Sequence, residues 1–111
     1  MSQTRRIAVP VQQKSGWKIH WMDVTPFDGL TRYHVTTVRA GAKGYLVDLE
    51  SYWGNGQCGC MFYCTTHEPV VSRWTPSQRE PGNATRCRHL LAARLYLGED
   101  LVTELLNKKR N

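Results

Sequence analysis

The chain has 111 residues, which is the size of one domain with a single modest hydrophobic core. Charged residues make up 22% of it and no apolar run is long enough to cross a bilayer as a helix, so the composition excludes a helical membrane protein and predicts a soluble one. The formal net charge of +6 favours polyanionic partners.

The N-terminal residues predict a loosely held segment followed by a strand. Residues 1–15 mix polar and basic side chains around a short apolar run that Pro10 interrupts, which predicts a flexible arm or at most an edge strand. The five residues from Trp17 onward alternate between apolar and polar side chains, as in a half-buried strand. We expect Trp17, Ile19 and Trp21 to share its buried face.

The middle of the chain predicts a hairpin and a turn. Residues 33–39 are rich in β-branched and aromatic side chains, and residues 45–50 alternate with their odd-numbered side chains inward. The Gly-Asn-Gly sequence at 54–56 predicts a turn that leads directly to Cys58 and Cys60. The sheet is therefore expected to end at these two cysteines.

The C-terminal part predicts two short helices. Apolar residues recur with helical spacing through 88–97, and Gly98 is well placed to end that helix. Glu99 and Asp100 suit the start of a second helix, because acidic side chains stabilise the positive end of the helix dipole. Lys108 to Arg110 would then stand at its negative end.

Four residues of metal-binding types occur as two closely spaced pairs. Cys58 and Cys60 are two residues apart in an extended segment, so their side chains point the same way and can bind one ion. Cys87 and His89 stand at the predicted start of a helix. Thiolate sulfur and imidazole nitrogen in tetrahedral geometry are the ligands of structural zinc, and four protein ligands leave no open position for catalysis. We therefore predict one structural Zn²⁺ ion bound by all four residues.

The order C-x-C, an insert, then C-x-H and an apolar helix resembles the SWIM zinc finger, and the resemblance covers residues 45–97. It implies a role in DNA binding or in protein interaction. The insert, Met61–Arg86, has 26 residues and is long for this pattern; its prolines and small polar residues predict a loop. The expected fold of the single domain is α+β: a small antiparallel sheet, a zinc-stapled ββα-like unit and a C-terminal helix pair.

Composition alone leaves a second ligand set open. Cys64 and His67 lie in the insert and could complete a site with Cys58 and Cys60, or the cysteines could be buried thiols or disulfides. Residues 1–13 contain no apolar run typical of a signal peptide, which predicts an intracellular, cytoplasmic protein, or a nuclear one in a eukaryote. In a reducing compartment, clustered cysteine and histidine indicate a metal more often than a disulfide.

Basic residues concentrate near the predicted metal site. Between residues 73 and 94 there are five arginines and one acid, Glu80. Arginine binds phosphate through two hydrogen bonds, and tryptophan stacks on unpaired bases. Trp74 is the expected exposed anchor, whereas Trp17, Trp21 and Trp53 are expected in the core. We predict binding of nucleic acid, DNA rather than RNA, through Arg73, Trp74, Arg79, Arg86 and Arg88.

The sequence lacks an enzymatic signature. Cys64 and Ser72 are candidate nucleophiles, but no supporting motif surrounds them and there is no glycine-rich phosphate loop, so we predict neither catalysis nor a small-molecule substrate. The alternative to nucleic acid is a protein partner, because tryptophan is typical of interfaces. In that case the chain would be an adaptor or an inhibitory accessory factor, for example of a virus or mobile element, that docks on a larger protein machine.

Overall fold

A computed structural model of the protein describes residues 4–29, 31–79 and 87–110, and it confirms the α+β class. Five antiparallel strands form one sheet, and a long C-terminal helix packs on one face of it. In chain order the elements are β1 (Arg5–Gln13), β2 (Gly16–Asp28), β3 (Arg32–Thr37), β4 (Gly44–Asp48), α1 (Ser51–Gly54), β5 (Gln57–Cys58), a π-helical turn (Tyr63–His67), α2 (Glu68–Val71), a 3₁₀ turn (Pro76–Gln78) and α3 (Arg88–Arg110).

The sheet is a meander in which each strand pairs with the next one along the chain. The predicted hairpin is β3–β4, and the predicted turn at 54–56 leads into β5. The N-terminal segment is not a flexible arm from Arg5 onward, because β1 pairs with β2 along its whole length, from Arg5 opposite Val24 to Gln13 opposite Gly16. Its Pro10 is tolerated because β1 is an edge strand.

The core lies between the sheet and α3. On the helix, Leu90, Ala93 and Tyr96 are buried against the strands, and the rings of Tyr33 and Tyr96 lie 5.4 Å apart between centroids. Alternate side chains of the strands form the other wall, as expected for a sheet with one covered face. These wall residues are Ile7, Val9, Met22, Val24, Tyr33, Val35 and Val47.

The predicted buried face of β2 is wrong. Met22 and Val24 are fully buried, whereas Trp17, Ile19 and Trp21 are 70%, 50% and 52% exposed. The alternation itself is correct, but side chains one residue apart in a strand point to opposite faces, and α3 covers the face of Met22. The tryptophans lie on the face opposite the helix.

The predicted helix pair is one continuous helix, since α3 runs through Gly98 without a break. A glycine inside a helix costs only about 1 kcal/mol relative to alanine. Packing before Gly98 and an ion pair after it offset that cost: Arg5 Nη2 lies 2.7 Å from Asp100 Oδ1, and the Arg5 guanidinium lies over the Tyr96 ring. No helix in the described part of the chain is both long and apolar enough to cross a membrane.

The insert is not a plain loop, because its first part, residues 61–71, is helical. Pro69 falls in the first turn of α2, where the backbone N–H has no partner within the helix, so the missing N–H of a proline costs no hydrogen bond of α2. The insert is also anchored to the turn before β5, since Glu68 Oε2 accepts hydrogen bonds from Tyr52 Oη (3.0 Å) and Gln57 Nε2 (2.9 Å). Residues 80–86 lie outside the described part of the chain.

Arg94 has a structural role and is not one of the exposed basic side chains that could bind a partner. Its Nη2 donates to the backbone carbonyls of Gly54 (3.3 Å) and Asn55 (2.7 Å), and burial lowers the pKa of its guanidinium. This side chain therefore ties the N-terminal third of α3 to the turn before β5.

Replacing Arg94 with methionine is expected to destabilise the protein by about 1.5–3 kcal/mol, because the variant loses charged hydrogen bonds and leaves buried carbonyls without their donor. The midpoint of urea unfolding measures this effect. Arg73→Met is the matched control, since Arg73 is exposed. Equal midpoints for the two variants would contradict the structural role of Arg94.

Candidate metal centre

The structure brings the four predicted ligands together where β5, the segment after it and the start of α3 meet. Cys58 ends β5, Cys60 follows two residues later, Cys87 immediately precedes α3 and His89 lies in its first turn. All four residues are buried, and their potential ligand atoms lie within 4.8 Å of one another. This is a group that could hold a metal ion.

Two distances within the group are compatible with tetrahedral coordination of one ion. The Sγ atoms of Cys60 and Cys87 are 3.8 Å apart, and Cys87 Sγ lies 3.7 Å from His89 Nδ1. In a tetrahedral site with zinc–sulfur distances of about 2.3 Å, two sulfur ligands lie about 3.8 Å apart. The donor set and these two distances are therefore compatible with one four-coordinate metal ion, and a bound ion would crosslink the sheet to α3.

Local structure holds both cysteines of the first pair. The backbone N–H of Tyr63 donates to Cys60 Sγ (3.4 Å), and the Tyr63 hydroxyl donates to the carbonyl of Gly56 (2.6 Å). Tyr63 is fully buried. It therefore connects the turn before Cys58 to the helical segment after Cys60, a structural role that the sequence did not indicate. The available signal was an aromatic residue three positions after the second cysteine.

The second pair is oriented by the helix. The carbonyl of Cys87 accepts the hydrogen bond of the Leu91 N–H at 3.1 Å, which places Cys87 just ahead of the first helical turn, as predicted. The His89 ring packs edge-on against Tyr45 with centroids 5.1 Å apart. This contact limits rotation of the imidazole and keeps Nδ1 beside Cys87.

The thiols of the group do not ionise alike. A hydrogen bond from Cys58 lowers the pKa of Cys87 to about 4, and the same hydrogen bond raises the pKa of Cys58. Burial raises the pKa of Cys60. A single thiolate is thus favoured in the protein alone, because further negative charges would be buried close together. A divalent cation would stabilise the remaining thiolates by displacing their protons.

The alternative quartet with Cys64 and His67 is not assembled. Cys64 is exposed and its Sγ donates to the carbonyl of Cys58 (3.6 Å). His67 lies against the rings of Phe62 and Tyr63, with centroids 4.9 Å and 6.0 Å away. Among the described residues, no second group of three or more histidine, cysteine or acidic side chains has the spacing of a metal site.

The predicted partner-binding residues lie in different surroundings. Arg73 is exposed, Arg88 is half-buried at the start of α3, and Arg86 lies outside the described residues. Trp74 is half-buried rather than an exposed anchor. Its backbone carbonyl accepts a hydrogen bond from Arg79 Nε at 3.2 Å.

Arg79 makes a further internal contact. Its guanidinium stacks 4.2 Å above the ring of Trp53. Trp53 was predicted to lie in the core, but its side chain is 41% exposed, so this prediction is wrong. The insert thus uses Arg79 to attach itself to the turn before β5. Of the predicted binding set, Arg73 and Arg88 keep their charged groups outside such contacts among the described residues.

Comparisons of the chain with protein-family models, with curated proteins and with solved structures find no match. The resemblance to a SWIM finger therefore stays a prediction. What the residues themselves establish is a buried group of three cysteines and one histidine that could bind one metal ion.

Proposed function

We propose that this protein is a small, non-catalytic, zinc-binding module whose partner is nucleic acid. One observation carries the metal-binding part of the proposal: four buried side chains that could ligate one ion lie with their ligand atoms within 4.8 Å of one another, and four protein ligands would leave no position for a substrate. Three sulfur ligands and one imidazole favour zinc over magnesium or calcium, which prefer oxygen ligands. When bound, the ion supplies a crosslink and no chemistry. The resemblance to SWIM fingers supports DNA as the nucleic acid.

The charge distribution supports a polyanionic partner. Among the described residues, three acidic side chains form close ion pairs: Asp23 with Arg6, Asp48 with Arg32, and Asp100 with Arg5. The excess positive charge of the chain therefore lies on basic side chains outside these pairs. Such side chains bind phosphates and release condensed counterions when they do so. Those in the described part of the chain include Lys18, Arg39, Arg73 and Arg88.

A salt titration tests the proposed function. We expect fluorescently labelled oligonucleotides to bind the metal-loaded protein. If three phosphates are contacted, the affinity should fall about 20-fold for a single strand and about 40-fold for a duplex between about 50 mM and about 200 mM salt. Single-stranded DNA, duplex DNA and single-stranded RNA are measured in parallel by fluorescence anisotropy. Absence of binding to all three at low salt would contradict the nucleic-acid function.

One observation favours a second candidate function, protein interaction. Beyond Gly98, four large apolar side chains of α3 are more than half exposed: Leu101, Val102, Leu105 and Leu106. They recur at helical spacing and could fill a groove on a protein partner. Retention of one defined host protein by the wild type and not by a Leu101→Gln/Leu105→Gln variant, with no nucleic-acid binding by either, would favour this function.

A further inference from the structure

The C-terminal end of α3 extends beyond the rest of the described fold. Before Gly98 the helix buries Leu90, Ala93 and Tyr96 on the sheet, whereas residues 101–108 are all exposed. The helix continues to Arg110, so about 15 Å of it stands clear of the sheet. A helical segment this short is only marginally stable in water by itself. Packing against a further surface would therefore stabilise it.

Five large apolar side chains form a stripe on this end of the helix, and we name them the α3 stripe. Positions 95, 98, 102 and 105 alternate spacings of three and four residues, which is the spacing of the a and d positions in packed helix pairs. Leu105 follows the buried Tyr96 by nine residues, or about two and a half helical turns, so the stripe faces away from the sheet. Its members are 43–64% exposed: Leu95, Leu101, Val102, Leu105 and Leu106.

The charges of the same segment change sign along the helix. Its first half carries the acids Glu99, Asp100 and Glu104, and its end carries three bases, Lys108 to Arg110. When two such helices pair antiparallel, the acidic end of each lies beside the basic end of the other. Parallel pairing would instead put like charges side by side and align the two helix dipoles. The segment is thus complementary in charge to a second, antiparallel copy of itself.

The apolar side chains show the same self-complementarity. If a two-fold axis passes between residues 103 and 104, Leu101 of one helix is level with Leu106 of the other, and Val102 is level with Leu105. The same axis brings Glu99 level with Lys108. An interface between two identical chains with two-fold symmetry requires one patch that matches itself in this way. One register therefore satisfies both the apolar side chains and the charges.

We propose that the α3 stripe is a self-association surface, through which two copies of this chain pair antiparallel by the C-terminal ends of α3. The inference does not depend on the nucleic-acid function. A helix that lies on a membrane carries lysine and arginine along its polar face, whereas the first half of this segment is acidic. From Leu95 to Leu106 the stripe is about 17 Å long. The interface is therefore small, below about 1,200 Å², and the dimer should exchange with the monomer.

The mass of the metal-loaded full chain, measured by light scattering across a dilution series, tests the proposal. We expect the mass to rise with concentration from that of one chain, 12.8 kDa, towards twice this value. Val102→Gln/Leu105→Gln should raise the dissociation constant of the dimer about 100- to 1,000-fold, because each substitution removes apolar burial from both copies. Both side chains are more than half exposed, so the single chain should keep its fold, as metal content and circular dichroism will show. Leu46→Gln is the matched control, since Leu46 is 52% exposed on β4.

A charge exchange tests the antiparallel orientation. Lys108→Glu should raise the dissociation constant about 2- to 30-fold, because two-fold symmetry removes two exposed attractions between Glu99 and Lys108. Glu99→Lys/Lys108→Glu should restore the affinity, since it exchanges the two charges. Both effects should fade at high salt, which screens exposed charges. In a parallel pair Lys108 lies beside its own copy, and Lys108→Glu would leave the dissociation constant unchanged.

The outcomes either support this interface or overturn it. A wild type that stays monomeric at every concentration overturns the proposal. A dimer that persists in Val102→Gln/Leu105→Gln, or that is lost in Leu46→Gln, lies elsewhere on the molecule and overturns it as well. Loss of the dimer in the double variant with no effect of Lys108→Glu overturns the antiparallel orientation. A monomeric wild type that retains a host protein through Val102 and Leu105 assigns the α3 stripe to that protein instead. None of these results requires an oligonucleotide, so they are separate from the test of the proposed function.

Discussion

Cys87→Ser is expected to abolish metal binding and to unfold the protein. Cys87 is buried beside Cys60 and His89, and it joins the start of α3 to the end of the sheet. A structural zinc site contributes about 10–16 kcal/mol of apparent binding free energy, which is as large as the whole net stability of a typical domain, about 5–15 kcal/mol. The variant also leaves its neighbours as buried polar groups without their partner.

Elemental analysis and circular dichroism measure both effects. The wild type should contain one zinc ion per chain after mild purification, and the chelated protein should lose its folded signal and recover it when zinc is added back. Cys64→Ser is the matched control, because Cys64 is exposed and lies outside the group. Metal retained by Cys87→Ser, or lost from Cys64→Ser, would overturn the assignment of the ligands. A wild type that folds stably without metal would overturn the structural role of the ion.

Gly56→Ala is the second substitution with a large expected effect, a loss of roughly 2–5 kcal/mol in the free energy of unfolding. Gly56 has φ +93°, which alanine adopts only with strain, and an added Cβ would lie 2.7 Å from Leu90 Cδ2. Leu90 is fully buried and has no space to retreat. The carbonyl of Gly56 also accepts the Tyr63 hydroxyl, so a shift of this turn would disturb the segment that orients Cys60.

The control for this substitution is Gly98→Ala. Gly98 lies inside α3 and an added Cβ would meet no atom within 4 Å, so alanine should stabilise the helix by about 0.5–1 kcal/mol. Urea unfolding of the metal-loaded proteins measures both changes. A Gly56→Ala protein as stable as the wild type would contradict the close packing of this turn against α3. Destabilisation by Gly98→Ala would contradict the continuous helix.

The members of the candidate metal group could be predicted because each pair is a local feature. Cys58 and Cys60 are neighbours on one side of an extended segment, and Cys87 and His89 stand at the start of a helix whose apolar spacing is readable. The sequence could not exclude Cys64 and His67, which have suitable side chains at suitable spacing. They are excluded because the helical segment that follows Cys60 leaves Cys64 exposed and places His67 among aromatic rings.

The helix break predicted at Gly98 shows the limit of local propensity, because the structure has none there. Glycine followed by two acids is typical of a helix end and a new helix start, yet α3 is continuous. The penalty for one helical glycine is small compared with the burial of Leu90, Ala93 and Tyr96 on the sheet, and the two acids find a partner in Arg5. That partner is distant in the chain and is therefore invisible to a local pattern.

The order of residues was sufficient for the α+β class, the hairpin β3–β4 and the four candidate ligands, because strand alternation, turn residues and closely spaced ligands act over a few neighbouring positions. It was not sufficient for the exposed face of β2, the course of the insert or the surroundings of each arginine. Alternation predicts that Trp17 and Met22 lie on opposite faces of the sheet, but it does not predict which face is covered. The covered face depends on where α3 packs. Contacts between distant segments therefore left Arg94 and Arg79 inside the structure and placed Lys18, Arg39 and Arg88 around one groove.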